Sequence, residues 1–149
     1  MRFFPGIALI FAVGSCAPDE PNRTPEGAVR ELIELMQVFD GNDKQAQTLF
    51  ELLSSRAKQN LVTRADRYGA ASGKTISPWA MLVPSRMTPR FAPQDYSAQI
   101  VGRHALVEVV GVGAEQKAHV SCVLEDGLWR VDIVLPELPP LERRPGAEP

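Results

Sequence analysis

The chain is poor in the residues that usually announce chemistry. It has two cysteines, two histidines, 7% aromatic residues and a net charge of only −2. Each shortage excludes something. Cys16 and Cys122 can form at most one disulfide, and no group of cysteines is available for a thiolate metal cluster. A nearly balanced charge gives no basic surface for nucleic acid. Gly73-Lys74-Thr75 has no strand before it and is no phosphate loop. Ser72-Gly73 lacks the elbow pattern of hydrolases. The apolar run at 7–13 falls far short of the ~20 residues needed to cross a bilayer. What is present is 44% hydrophobic and 23% charged residues over 149 positions, the composition of one globular domain.

Arg2, the apolar run at 7–13 and the small residues Gly14 and Ser15 have the layout of a signal peptide over residues 1–15. An uncleaved anchor or a buried helix is the alternative. Val13-Gly14-Ser15-Cys16 resembles the lipobox of bacterial lipoproteins, which implies cleavage before Cys16 and transfer of a diacylglycerol to its thiol. Ordinary cleavage after Gly14 or Ser15 remains the other route. Ala17 after the cysteine resembles the outer-membrane sorting pattern of double-membraned bacteria, so the expected location is the cell envelope, facing the periplasm. Residues 16–23 then read as a polar tether. If Cys16 carries lipid, Cys122 is unpaired. Val120, Val123 and Leu124 around it describe a buried strand and an inert core thiol.

Thr24-Pro25-Glu26 announces a helix: a hydroxyl cap, proline at the first position and an acid in the first turn. Val29, Leu32, Ile33, Met36 and Phe39 follow at helical spacing, and Asp40-Gly41-Asn42 ends the run. A second helix carries Ala46, Leu49, Phe50 and Leu53 on one face. Ser54-Ser55 recaps a third, with Ala57, Leu61, Ala65 and Tyr68 inward and a solvated basic face of Arg56, Lys58, Arg64 and Arg67. Ser77-Pro78 starts a short helix holding Trp79, Met81 and Leu82. Three prolines between 83 and 93 predict an extended or turning connection.

After Gln94 the hydrophobic period changes from 3.6 to 2. Four strands are expected at about 95–101, 104–112, 116–125 and 128–135, joined at Gly102-Arg103, Gly113-Ala114 and Asp126-Gly127. These turns fix a register. Leu124 faces Trp129, Cys122 faces Val131 and Val120 faces Ile133. Val107 faces Val120 and Val109 faces Ala118, while Ile100, Ala98 and Tyr96 face Ala105, Val107 and Val109. All three hairpins then put apolar residues on one side, and a slip of one residue would destroy the agreement. The expected fold is α+β, three to four helices packed on a four-stranded antiparallel meander over residues 24–135. Residues 136–149 read as a proline-rich disordered tail.

The opening phrase Thr24-Pro25-Glu26-Gly27-Ala28-Val29-Arg30-Glu31-Leu32 and the closing phrase Glu125-Asp126-Gly127-Leu128-Trp129-Arg130-Val131-Asp132, with helices before a meander, resemble small lipoproteins of the nuclear transport factor 2-like superfamily. The resemblance covers residues 24–135 and implies a cone-shaped fold with a pocket between helices and sheet. Between Gly69 and Pro93 it departs from the superfamily's enzymes, and the likeness there is to envelope lipoproteins.

The inward strand face offers Tyr96, Cys122 and Trp129 as its only reactive or polar-tipped side chains. No strand carboxylate faces inward to serve as a base. Glu31 and Glu34 lie off the stripe of the first helix and read as solvated. His104 sits beside a turn and His119 opposite Glu108, so they form no metal pair. The expected function is therefore a membrane-anchored lipoprotein with a non-catalytic binding or accessory domain, needing no cofactor. An isomerase- or hydratase-like enzyme using helix or loop acids is the alternative. Small residues at Ala98, Ala105 and Ala118 leave two readings: a filled interior, or an apolar pocket lined by Tyr96, Val107, Val120, Trp129 and Val131 under Ile33 and Met36. Such a pocket would take an apolar small molecule. An envelope protein is the other expected partner.

Overall fold

The computed structural model describes residues 20–140. Cys16 and the expected signal segment lie outside them, as do residues 141–149.

Helix α1 (Pro25–Gln37) starts where the sequence signals it. Thr24 accepts a hydrogen bond from the Gly27 N–H through its hydroxyl at 3.0 Å, and Pro25 occupies the first helical position. Helix α2 (Asp43–Glu51) is capped by Asn42, and α3 (Ser55–Ser72) by Ser54, with Gly73 closing α3 in the left-handed region at φ 68°. A 3-10 turn follows at Pro78–Met81. The next turn of helix, α4 (Pro84–Met87), falls where an irregular connection was expected. Pro84 is the reason it fits: proline is tolerated at the first helical position, where its missing N–H has no partner to lose.

The sheet consists of β1 (Asp95–Val101), β2 (His104–Val110), β3 (Lys117–Glu125) and β4 (Leu128–Val131), antiparallel and in the order β1-β2-β3-β4. Tyr96 pairs with Val109, Ala98 with Val107, Ile100 with Ala105, Val107 with Val120, Val109 with Ala118, Cys122 with Val131 and Leu124 with Trp129. These are the pairs the turns dictate. The eighth, Val120 with Ile133, does not form, because β4 ends at Val131 rather than near 135. β2 and β3 are also shorter than expected at the Gly113 end.

α1 covers the apolar side of the sheet and lies against all four strands. Val29, Leu32, Ile33 and Met36 meet Val107, Val109, Cys122 and Val131 in one core. Each fully buried aliphatic side chain there contributes ~1.5–3 kcal/mol. α2 and α3 pack around the 78–81 turn, where Trp79 meets Phe50 edge-on at 6.2 Å and donates its indole N–H to Asp43 at 3.0 Å. Tyr68, expected on the inward stripe of α3, is 58% exposed. The stripe needs only Ala57, Leu61 and Ala65, and by the last turns α3 has passed beyond the core.

Two segments that reach past the expected domain limits pack against it. Residues 21–23 of the expected tether form a 3-10 turn against α1 and β4. Residues 132–140 run without helix or strand along α3, where the Arg64 and Arg67 guanidiniums donate to the carbonyls of Pro136 and Pro139.

Candidate functional site

The early end of β4 creates a cleft. Val131 is held on its outer side by the α2–α3 junction: its N–H donates to Leu52 O, and its carbonyl accepts from the Ser54 N–H, both at 2.9 Å. Asp132 makes one more ladder bond, from its N–H to Ser121 O at 2.7 Å. Its carboxylate is drawn to α3, where it accepts from the Ser54 hydroxyl at 2.5 Å and from Arg56 through two nitrogens at 3.0 and 2.7 Å. The chain then leaves the sheet. The β3 edge at His119 is left without a strand beside it, and a cleft of about 630 Å³ opens between that edge, α1, the 81–87 segment and the departing strap. That volume lies within the ~300–1,000 Å³ of small-molecule sites.

Its walls are mainly apolar. Val29, Leu32 and Ile33 form the floor; Met81 and Met87 stand on one side, and Ile133 and Leu135 on the other. Unbranched methionines let such a wall adapt to an occupant's shape. The polar groups on the lining are Arg64, Arg86, His119, Ser121 and Asp132. Burial pushes the Asp132 carboxyl up, but the hydrogen bonds from Arg56 and Ser54, together with the charges of Arg56 and His104, outweigh it and hold the pKa below its ordinary 3.8. An anion so fully engaged is a poor base. The His119 ring lies 3.5 Å from Glu108, which also pairs with Lys117 at 3.3 Å.

The five residues expected to form a pocket are spread over the inward face rather than gathered round one space. Val107 and Val131 are fully buried in the core, and Trp129 is 7% exposed. Tyr96 is half-buried beneath the Arg30 guanidinium, 4.9 Å from its ring centre. Burial raises its pKa, Glu34 adds to the rise and Arg30 opposes it. Only Val120 lines the cleft, joined by Ile33 but not by Met36. Cys16 lies outside the described residues.

The helix acids are also accounted for. Glu31 and Glu34 border a second, more open groove of about 690 Å³ beside Glu20 and Arg30, away from the cleft. The Glu31 pKa is raised, first by burial and then by Glu34. His104 pairs with Val123 and His119 with Glu108, so the two histidines are not neighbours. Among the described residues, no three His, Cys, Asp or Glu side chains gather as metal ligands. Nor is any helix there long and apolar enough to cross a membrane.

The sequence reading missed Arg64, Arg86, Asp132 and both methionines as neighbours. Their only common signal is that Ile133 follows an aspartate able to pair with Ser54 and Arg56, and this depends on where α3 packs. No family model, curated protein or solved structure matches this chain.

Proposed function

We propose that this protein is a membrane-anchored lipoprotein of the cell envelope, and that its domain binds an apolar small molecule without catalysis. The observation that carries the reading is the cleft: methionine and aliphatic walls beside a bared strand edge. The polar group best placed for base chemistry, Asp132, is tied up by Ser54 and Arg56. Anchoring rests on Val13-Gly14-Ser15-Cys16, since two acyl chains on one thiol suffice for stable attachment. Membership of the nuclear transport factor 2-like superfamily belongs to the same proposal, supported by helices preceding an antiparallel meander that remains open rather than closing into a barrel.

Two measurements test it. Mass spectrometry of the mature N-terminus should find an acylated Cys16, and a free α-amine without acyl chains would remove the anchor. Titration with the neutral dye Nile red should saturate at one site and weaken at least tenfold in Val83→Asp. Val83 lines the cleft and is 41% exposed, so the charge enters the site without burdening the core. Unsaturable binding, or binding indifferent to that charge, would leave a protein-binding or accessory role.

A further inference from the structure

We infer that the cleft selects single-chain amphiphiles with an anionic head, a carboxylate or a phosphate, rather than neutral apolar molecules. This rests on the reading of the cleft as a binding site and names its ligand class.

The argument is one of charge against charge. Two guanidiniums line the cleft, and their commitments differ. Arg64 donates to the Asn60 side chain at 2.7 Å and to the Pro136 carbonyl, both neutral acceptors, so its charge is uncompensated by any ion pair among the described residues. Arg86 is exposed at the end of α4 and makes neither an ion pair nor a side-chain hydrogen bond among the described residues. The one carboxylate on the lining, Asp132, is already neutralised by bidentate Arg56. The cleft therefore holds two cationic groups and no free anion. A guanidinium bonds carboxylate and phosphate oxygens through paired N–H groups, which suits Arg86 to either head.

The bared strand edge adds a further donor. Along β3 the main-chain groups alternate in direction: Leu124 N–H bonds toward β2, at Arg103 O, whereas Ser121 O accepts from Asp132 on the β4 side. His119 shares the parity of Ser121, so its N–H and C=O face the side that β4 has vacated. An anionic head at this edge can take the His119 N–H, while its chain lies on Val29, Ile33, Met81 and Met87. A neutral hydrocarbon would use the apolar wall and leave both guanidiniums unanswered.

The test uses the full-length chain with Cys16→Ser, which keeps its own acyl groups out of the assay. Decanoate, monodecyl phosphate and decanol, each below its micellar range, are titrated against bound Nile red. The expected result is at least tenfold tighter binding of one or both anions than of decanol, shrinking as salt rises. Arg86→Gln should remove most of the preference for the anion and leave decanol unchanged, while Arg86→Lys should keep more of it than Arg86→Gln does. Which anion wins identifies the head. Equal binding of all three, unmoved by either substitution, would overturn the head-group inference and leave the apolar cleft standing. Failure of all three to displace the dye would overturn both.

Discussion

Ser54 and Asp132 are 78 residues apart in the chain and joined by a 2.5 Å hydrogen bond, with the serine hydroxyl donating to the carboxylate. The same hydroxyl accepts from the Ala57 N–H and caps α3. One fully buried serine thus ties the start of a helix to the end of a strand. Arg56 completes the clamp. Asp132→Ala should cost about 2 kcal/mol, the scale of a hydrogen bond to a charged group, read as a shift in the urea midpoint. The clamp should also depend on pH. A carboxyl whose folded pKa is depressed stabilises the fold above its unfolded pKa and loses that contribution as pH falls through the folded value. The wild type should therefore lose stability below about pH 3.8 more steeply than Asp132→Asn. Parallel curves for the two would show that the clamp is electrostatically silent.

Cys122 is 1% exposed, with Ala105 and Val131 opposite it on the neighbouring strands. Burial, followed by the charges of Asp132 and Glu26, pushes its thiol up to about 12. The thiolate is the reactive form, so a disulfide reagent at pH 8 should leave the native protein unlabelled for hours and label it within seconds in urea. The comparison is made on the Cys16→Ser chain, so that only one thiol is counted. Rapid native labelling would place the thiol on the solvent face of the sheet.

Gly27 lies where α1 meets the turn at Pro21–Arg23. A Cβ there would sit 1.9 Å from the Pro21 carbonyl oxygen and 2.9 Å from its carbon. In an open helix Gly→Ala would gain ~1 kcal/mol of helix propensity. Here the obstacle is backbone, which cannot swing aside like a side chain, and overpacking costs ~1–3 kcal/mol. The steric loss should win. Gly27→Ala is expected to lower the melting temperature and to speed hydrogen exchange at the Arg23 amide, which bonds Glu20 O at 2.9 Å. An unchanged or raised melting temperature would mean that the turn does not hold this position.

The strand register was readable because turns and alternation over-determine it. A one-residue error at Asp126-Gly127 would have turned Trp129 and Val131 toward water. Helix starts were readable for a similar reason, since Thr24, Asn42 and Ser54 each satisfy a local donor. The cleft was not readable. It opens at the one expected pair that fails, Val120 with Ile133, where the chain leaves the sheet after the last ladder bond of Asp132, whose carboxylate is held by Ser54 and Arg56. Periodicity sees only that Ile133 and Leu135 alternate correctly, and tertiary contacts decide that they leave the sheet. Arg64 was misread likewise, as solvated, because its acceptor lies 72 residues away in a strap with no sequence signal of its path.

The first turn of α1 has a consequence at the far side of the sheet. β1 is an edge strand, and the Ala98 N–H, which would point outward from it, is occupied by the Glu26 carboxylate at 3.1 Å. On the other side, Leu53 lies alongside Val131 and covers β4, while the β3 edge at His119 borders the cleft. Exposed strand edges recruit other strands, and proteins protect them with charge or cover. Tethering by the proposed acyl anchor would crowd many copies into two dimensions, where neighbours collide far more often than in bulk. A carboxylate lodged at the middle of β1 presents each arriving copy with a negative charge in place of a donor, so crowding at the membrane need not become strand pairing through β1.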